Sequence, residues 1–378
     1  MHQRTLQIVL KVSERCNLNC SYCYYYNMED ETPGARPALL STRIVEGLIK
    51  FLHECAKTAY FDQAVIILHG GEPMLMPVAR MRMMLNKLNN NAPLGLPIFF
   101  GMQTNGTILT DGWLDIIRDF QISVCVSIDG NEATHNIYRR DKKNQPTHHI
   151  VQSNIVTLQS FLKNNSLPHV TLMSVAGGSA EGKETYIYFT DNLDVKYIDF
   201  LLPDATHDVI DHEVSKSAEV FLETAYNSWL YDVDRPQIPY FQGYVNTFLG
   251  LITPGPTKNY DNDFRIPNIY TIYSDGHIAG NDYVRSVLSD SADSLPKLGD
   301  KLLDVMERVS LLEGLDFRYK IPDSCGDCKW RQACRGGQMI HRHSLSSGFA
   351  NKSVYCGHIQ RMYELTESAY ELHIQEKS

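Results

Sequence analysis

Short apolar runs alternate with helix-like segments through the first half of the chain, and this alternation restricts the possible folds more than any other feature. The runs are rich in Val, Ile and Phe and occupy residues 5–12, 64–70, 97–104, 122–129, 169–176 and 196–203. Nearly continuous apolar runs suit strands that are covered on both faces. The pattern is βα repeated about six times, which predicts an α/β fold, either an open doubly wound sheet or an incomplete (β/α) barrel.

Polar motifs follow the first four runs. CNLNCSYC (16–23) follows the first, HGGEP (69–73) the second, QTNGT (103–107) the third and SIDG (127–130) the fourth. In either fold, chemistry belongs at the carboxyl ends of the strands, where these loops converge. Any one of the motifs alone could be a simple turn, because Gly, Asn and Asp are common turn residues.

Charge and hydropathy disfavour two classes of partner. The formal net charge is −9, whereas a nucleic-acid surface needs a basic face. No stretch approaches the ~18 apolar residues of a membrane span, and the first residues contain no secretory signal. We therefore expect a cytoplasmic protein that binds neither nucleic acid nor a membrane.

The nine cysteines fall into two groups and two isolated positions. An odd count without an export signal makes a disulfide framework the poorer explanation. The isolated Cys55 and Cys125 lie in apolar patterns and are interpreted as structural thiols. The two groups are the candidate metal ligands: Cys16, Cys20 and Cys23, and then Cys325, Cys328, Cys334 and Cys356.

The first group has three cysteines where a closed metal site needs four ligands. Structural zinc takes four protein ligands, and a four-iron cubane likewise has four corners to fill. Three thiolates on one loop therefore leave one iron corner open for a small molecule. The alternative is a zinc site that takes a fourth ligand such as His69.

The spacing C-x3-C-x-aromatic-C after a first strand, followed by GGEP, resembles the radical S-adenosylmethionine (SAM) superfamily. The resemblance implies that Cys16, Cys20 and Cys23 hold a [4Fe-4S] cluster whose free iron is chelated by SAM. An electron from the cluster then cleaves the sulfonium and releases a 5′-deoxyadenosyl radical. It also implies an external electron donor of the flavodoxin or ferredoxin type.

The same resemblance assigns cofactor contacts in the first two loops. Tyr22, before the third cysteine, would flank the adenine. Gly70 and Gly71 would let a ligand approach the backbone closely. Glu72 would supply a carboxylate for the cofactor's ammonium group.

The third and fourth loops complete the predicted cofactor site. Asn105 and Ser127 are short polar groups suited to the ribose hydroxyls, with Gln103 close by. Arg139 is predicted to bind the cofactor carboxylate bidentately, which lysine could not do as well. Arg140 is the adjacent alternative, and a solvated helix start is the structural alternative for both.

The second cysteine group, C-x2-C-x5-C with a later cysteine, has the spacing of a closed zinc or iron-sulfur site. CRGG and a later YC resemble the C-terminal SPASM extension of radical SAM peptide maturases, in which the equivalent cysteines bind an auxiliary [4Fe-4S] cluster. A full extension holds a second auxiliary cluster. Asn281 and Gln338 stand where two of its cysteines would fall, so we expect one auxiliary cluster.

Asp282 is the candidate catalytic residue. In the sulfatase-maturating relatives an aspartate at this position acts as the substrate's base, and a carboxylate there could take the proton released on oxidation. The alternative is a hairpin aspartate bonded to its own backbone.

These patterns predict three parts. Residues 1–235 are expected to form a radical SAM partial (β/α)6 TIM-like barrel, 236–268 a linker, and 269–378 a SPASM-type auxiliary cluster domain. A hairpin is expected around Asp275 and Gly276, because Asp-Gly favours a tight turn.

The function indicated is maturation of a ribosomally made precursor peptide by an oxidative side-chain cross-link, for example of the cyclophane type. The alternatives are formylglycine formation in sulfatases, a small-molecule radical SAM dehydrogenase, and a non-catalytic zinc-binding protein. Because the first strand begins near residue 5, we expect no leader-binding module before the barrel. The leader would then be captured by the barrel, a sheet edge or a separate protein.

Overall fold

The computed structural model describes residues 4–27, 32–177, 182–253, 267–282, 294–312, 314–318 and 320–375, and it has an α/β fold. The six predicted strands are all present, each within about two residues of its expected limits. A seventh and an eighth strand form the predicted hairpin. The strands are β1 Thr5–Ser13, β2 Gln63–Gly70, β3 Ile98–Thr104, β4 Ser123–Ser127, β5 Thr171–Val175, β6 Tyr197–Leu201, β7 Ile269–Ile272 and β8 Ile278–Ala279.

Helices follow the strands as the alternation predicts. Side-chain oxygens cap several of them: Ser41 accepts from Ile44 N, and Thr110 accepts from Trp113 N. Within the described residues, no helix is both long and apolar enough to cross a bilayer. The helices are α1 Thr32–Ala35, α2 Thr42–Lys57, α3 Val78–Asn90, α4 Asp111–Asp119, α5 Glu132–Tyr138, α6 His148–Asn164, α7 Gly182–Ile187, α8 His212–Tyr231, α9 Pro239–Ile252, α10 Leu302–Leu312, α11 Leu315–Arg318, α12 Arg331–Cys334 and α13 Cys356–Gln375.

The chain divides into two compact units. The first comprises Met1–Ser127, Tyr138–Val170 and Arg265–Leu315, and the second comprises Ile128–Ile137, Thr171–Phe264 and Asp316–Ser378. The segments interleave along the sequence, so neither unit is a single stretch of chain. The predicted boundaries at 235 and 269 stay predictions.

The first unit is built on a sheet in the order β4-β3-β2-β1-β7-β8. Parallel pairing joins β1 to β2, β2 to β3, β3 to β4 and β1 to β7, and only the β7–β8 hairpin is antiparallel. In this register Leu10 lies opposite both Leu68 and Ile272. Because β1 lies between two partners, the loop that follows it begins near the middle of the sheet edge.

The second unit contains the parallel pair β5–β6 and a core of aromatic side chains. Phe200 on β6 lies 5.6 Å from Phe221 and 5.5 Å from Phe241 between ring centroids. Tyr226 lies 5.0 Å from Phe241. These rings are buried, and packed aromatic pairs contribute beyond the area they bury.

Two segments differ from the sequence analysis. The predicted linker, 236–268, contains helix α9, which begins with a proline at its first turn and buries Phe241, Tyr244 and Phe248. Proline at the first turn of a helix costs no hydrogen bond, so Pro239 is compatible with a helix here. Residues 254–266 of the predicted linker lie outside the described residues. The strand β7, predicted as part of the C-terminal domain, pairs with β1 in the first unit.

Two glycines of the second unit offer a matched test of packing. A Cβ at Gly182 would lie 1.7 Å from the Phe221 carbonyl oxygen, whereas a Cβ at Gly243 would meet nothing within 4 Å. We expect Gly182→Ala to lower the thermal midpoint by several degrees, since backbone must move. Gly243→Ala, inside α9, should raise stability by about 0.5–1 kcal/mol. Calorimetry measures whether stability falls in the first variant and rises in the second. Equal changes in stability would contradict the packing described.

Candidate functional site

The three-cysteine loop starts where β1 ends and is held in a tight turn by its own backbone. Cys23 N donates to Cys20 O at 3.0 Å, and Asn27 N donates to Cys23 O at 2.8 Å. The Asn27 side chain donates to Cys20 O at 2.7 Å. None of the three cysteines forms a disulfide, and all three are partly exposed. The loop therefore presents three thiols on one short turn.

Burial makes the thiols of Cys16 and Cys23 poor at ionising alone. The pKa of Cys16 is raised to about 12, first by burial and also by the nearby Glu72 and the other two thiols. Burial likewise raises the pKa of Cys23, against the opposing charges of Arg139 and Lys11. A bound metal centre would replace the protons, because cysteine ligates as thiolate. The chemistry of this donor set fits a cationic cluster.

The two glycines of the second loop are required by the protein's own backbone. A Cβ at Gly70 would lie 2.0 Å from Ser13 O, and a Cβ at Gly71 would lie 2.0 Å from the Tyr26 hydroxyl and 2.5 Å from Arg15 O. The loops also bond to each other, with Gly71 N donating to Ser13 O at 2.8 Å. The glycines thus let the cysteine loop dock on β2. Their predicted contact with the cofactor stays a prediction.

Glu72 is fully buried and has three donors from the protein. Its Oε1 accepts from Met74 N at 2.9 Å and from Thr104 Oγ1 at 2.8 Å, and its Oε2 accepts from Asn105 N at 2.7 Å. Burial raises the pKa of Glu72 to about 7, while these bonds oppose the rise. The carboxylate fixes the loop after β3. Its predicted bond to the cofactor's ammonium group stays a prediction.

His69 does not fit the zinc alternative. Its Nε2 lies 3.1 Å from Gln103 Oε1, and its Nδ1 accepts from Gly70 N at 2.8 Å and lies 3.2 Å from Lys11 Nζ. Both ring nitrogens are therefore engaged. Burial and the adjacent Lys11 lower the pKa of His69 to about 4, so the ring is neutral near pH 7.

Arg139 lies against Tyr22, a residue of the cysteine loop. The guanidinium carbon is 5.4 Å from the Tyr22 ring centroid, within the range of a cation–π contact. Arg140 instead donates to Asn144 O at 3.0 Å. Of the two arginines, Arg139 is the one that is buried and lowers the pKa of Cys23. Ser127, at the end of β4, is also buried.

Among the described residues, side chains of β1 and of the cysteine loop bind Asp282. Its Oδ2 accepts from Lys11 Nζ and from Tyr24 Oη, each at 2.5 Å. The Lys11 charge outweighs burial and holds the pKa of Asp282 well below its usual range. These two donors lie outside the hairpin, and the predicted catalytic role of Asp282 stays a prediction.

Sequence reasoning missed Lys11, whose side chain is fully buried. A buried ammonium is costly unless it is paired, and Asp282 supplies the pair from 271 positions along the chain. The available signal was a lysine inside the apolar run TLQIVLKV. Such a residue is rarely buried without a partner.

The second cysteine group lies in the second unit. Cys328 N donates to Cys325 O at 2.9 Å, and Cys334 ends helix α12. Burial raises the pKa of Cys334 to about 11, and the other three thiols add to the rise. The effect of these thiols on Cys334 is that of nearby ionisable groups, and their shared metal site stays a prediction. Gln360 Nε2 donates to Cys328 Sγ at 3.3 Å, a contact the sequence did not suggest.

The backbone conformation explains why glycines occur in the CRGG motif. Arg335, Gly336 and Gly337 have φ values of 53°, 95° and 84°, so three successive residues lie in the left-handed region. A Cβ at Gly337 would lie 2.7 Å from the Ser353 Cβ. Glycine adopts this conformation without strain. The turn carries the chain away from Cys334.

Among the described residues, no three His, Cys, Asp or Glu side chains lie close enough to hold a single metal ion. A cubane places each cysteine on a separate iron, so its ligands are spaced more widely than those of one ion.

Comparison with known proteins identifies the first cysteine loop and its surroundings. Residues 10–166 match the Radical SAM superfamily model. This segment is a radical SAM domain. It is 23% identical to a cysteine-type anaerobic sulfatase-maturating enzyme of Clostridium perfringens over 373 residues, covering 95% of each protein. It is 30% identical to a serine-type enzyme of Bacteroides thetaiotaomicron over 201 residues, covering 52% of this chain and 46% of that one.

Solved structures share the fold. A structure described as native anSMEcpe with bound AdoMet superposes with a TM-score of 0.77 at 20% identity, covering 97% of this chain and 99% of that one. A complex of the same protein with AdoMet and the Cp18Cys peptide gives a TM-score of 0.76 at 21% identity. The protein is thus a radical SAM enzyme related to the sulfatase maturases. The predicted superfamily, α/β fold, SAM and [4Fe-4S] cluster are confirmed.

The docking of the cysteine loop on Gly71 can be tested. Gly71→Ala places a methyl group against Tyr26 and Arg15, so we expect the loop to shift and iron uptake to fall by about half or more. Gly34→Ala is the control, because a Cβ there meets nothing within 4 Å. Iron per chain after anaerobic reconstitution is the measurement. Equal uptake in both variants contradicts the close approach.

The Lys11–Asp282 pair can be tested by a double-mutant cycle. Lys11→Met and Asp282→Asn should each lower the free energy of unfolding by about 3 kcal/mol, because each leaves its partner buried and unpaired. The double variant should lose less than the sum of the two. Urea unfolding measures all three. Lys57→Met, which removes the exposed Lys57–Glu54 pair, should cost under about 0.5 kcal/mol. Additive losses would contradict the pairing.

Proposed function

We propose that the protein is a radical SAM peptide maturase that removes a hydrogen atom from a substrate C–H bond and installs an oxidative side-chain cross-link, such as a cyclophane, in a ribosomally made precursor peptide. One observation carries the proposal. In the first unit, the loop that carries three thiols outside any disulfide contacts an ionised, partly exposed carboxylate through the Tyr24–Asp282 bond. The three thiols can hold a cluster with one open corner, and the carboxylate can accept a proton.

When bound, the cluster and SAM supply a 5′-deoxyadenosyl radical that takes a hydrogen atom. Cys16, Cys20 and Cys23 would hold the cluster. Arg139, a buried cation beside Cys23 and Tyr22, is suited to the cofactor's carboxylate. The remaining predicted contacts with the cofactor are those of Tyr22, Gly70, Gly71, Glu72, Gln103 and Ser127.

Asp282 would take the proton that the oxidised substrate releases. Lys11 and Tyr24 both engage its Oδ2, and no described residue bonds to its Oδ1. Its side chain is 12% exposed. Oδ1 is the oxygen that we assign to the substrate. Lys11 keeps the Asp282 carboxyl ionised at neutral pH. Its lowered pKa makes it a weak base, so it would take a proton only from an acidic, oxidised form of the substrate.

Cys325, Cys328, Cys334 and Cys356 would hold one auxiliary [4Fe-4S] cluster. Their shared effect on the pKa of Cys334 supports a common site. A cross-link removes two hydrogen atoms from the peptide. One leaves as a hydrogen atom, and the other leaves as a proton and an electron. That electron would leave to an external carrier of the flavodoxin or ferredoxin type. A closed cluster held by these four cysteines would supply electron-transfer chemistry.

Formylglycine formation is the second candidate. The similarity to a cysteine-type sulfatase-maturating enzyme over 95% of both proteins favours it. Asn281 and Gln338, where the SPASM resemblance expects cysteines of a second auxiliary cluster, favour a different peptide oxidation.

The test is anaerobic incubation of reconstituted protein with SAM, dithionite and two peptides. One is the Cp18Cys peptide, and the other is the product of any short reading frame beside the gene. We expect about eight irons per chain, release of 5′-deoxyadenosine, and a product of the second peptide lighter by two hydrogen atoms whose fragments stay linked. Conversion of Cp18Cys to an aldehyde would instead support formylglycine formation.

Cysteine variants supply the controls. Replacing Cys16, Cys20 and Cys23 by alanine should abolish 5′-deoxyadenosine release and leave about four irons. Cys125→Ala, which lies outside both groups, should change neither. Zinc in place of iron, or no 5′-deoxyadenosine from the unaltered protein, contradicts the proposal.

A further inference from the structure

The Asn105 side chain, predicted to contact the cofactor's ribose, is fully engaged with the protein. Asn105 follows β3 and is 7% exposed. Its Oδ1 accepts from Thr107 N at 3.0 Å and from Thr107 Oγ1 at 2.6 Å. Its Nδ2 donates to Asn17 Oδ1 at 2.9 Å and to Cys16 Sγ at 3.7 Å. An amide has two acceptor sites and two donor hydrogens, and all four are used.

The neighbouring contacts set the orientation of this amide. The Thr107 backbone N–H can only donate, so the atom it meets must be the amide oxygen. The nitrogen then faces the cysteine loop. The buried Glu72 carboxylate accepts a hydrogen bond from Asn105 N at 2.7 Å. The backbone and both ends of the side chain are thus fixed.

Cys16 consequently receives two N–H groups. Leu18 N donates to its sulfur at 3.4 Å, and Asn105 Nδ2 donates at 3.7 Å. Hydrogen bonds to ligating sulfurs stabilise negative charge on an iron-sulfur cluster. A reduced cluster carries one more negative charge than an oxidised one, so such bonds favour the reduced form and raise the reduction potential.

We propose that Asn105 is a positioning residue for Cys16 that raises the reduction potential of the open-corner cluster, and that it does not bind the ribose. This inference rests on the proposed function, because it requires a cluster on the three-cysteine loop. It predicts that Asn105 changes how readily the cluster accepts an electron and leaves the affinity for SAM unaltered.

The test is an anaerobic redox titration of Asn105→Leu, followed by electron paramagnetic resonance. The signal that changes on adding SAM identifies the open-corner cluster. Leucine has a similar size and no donor, so at the wild-type midpoint potential we expect the reduced fraction to fall roughly threefold or more. SAM affinity, measured by equilibrium dialysis, should stay within about twofold of wild type. Asn105→Asp removes the same donors with little change of shape and should shift the midpoint in the same direction.

Two variants are the matched controls. Thr107→Val keeps the backbone donor of residue 107 and the Asn105 amide, so the reduction potential of the open-corner cluster should stay unchanged. Ser127→Ala should weaken SAM binding without moving the potential, if Ser127 contacts the ribose as predicted. An unchanged potential in both Asn105 variants, or weaker SAM binding at unchanged potential, overturns the inference alone. An unaltered protein that forms no cluster on this loop overturns the proposed function as well.

Discussion

The buried Glu72 carboxylate is the interaction on which the site depends. It lies beyond β2 and takes donors from its own loop and from Thr104 and Asn105, at the end of β3. A buried charged acceptor without partners would cost several kcal/mol, so the loops can pack only in an arrangement that supplies all three donors. Asn105, once held there, reaches the thiol of Cys16. One carboxylate thus links the ends of two strands to the cysteine loop.

The tyrosines after the third cysteine show how one loop serves several purposes. Tyr24 donates to Asp282, and Tyr25 donates to the buried Glu14. Tyr25 also packs with Tyr273, Ala279 and Leu295 in a small apolar cluster that Cys23 contacts. The aromatic residues therefore join the cysteine loop to the β7–β8 hairpin, which carries Asp282 at its end. This apolar packing, the Tyr24–Asp282 bond and the Tyr25–Glu14 bond together hold the Asp282 carboxylate beside the cysteine loop.

Much of the fold could be predicted because it depends on local patterns. Continuous apolar runs predicted all six strands, and cap residues such as Ser41 and Thr110 mark the starts of helices. The α9 helix was missed because it lies just before a segment rich in proline and glycine. Its apolar face is buried by packing within the second unit, which the local sequence does not reveal. The cysteine spacings predicted both metal-binding groups, since ligands on one short loop need no distant partner.

The sequence alone determined the order of strands and helices, the two cysteine groups and the superfamily, because each is encoded in neighbouring residues. Only the tertiary structure decided which groups meet across the chain. It paired Lys11 with Asp282, engaged both nitrogens of His69, and turned the Asn105 amide toward Cys16. The physical reason is burial. A polar group removed from water must find a partner nearby in space, and sequence position does not say where that partner lies.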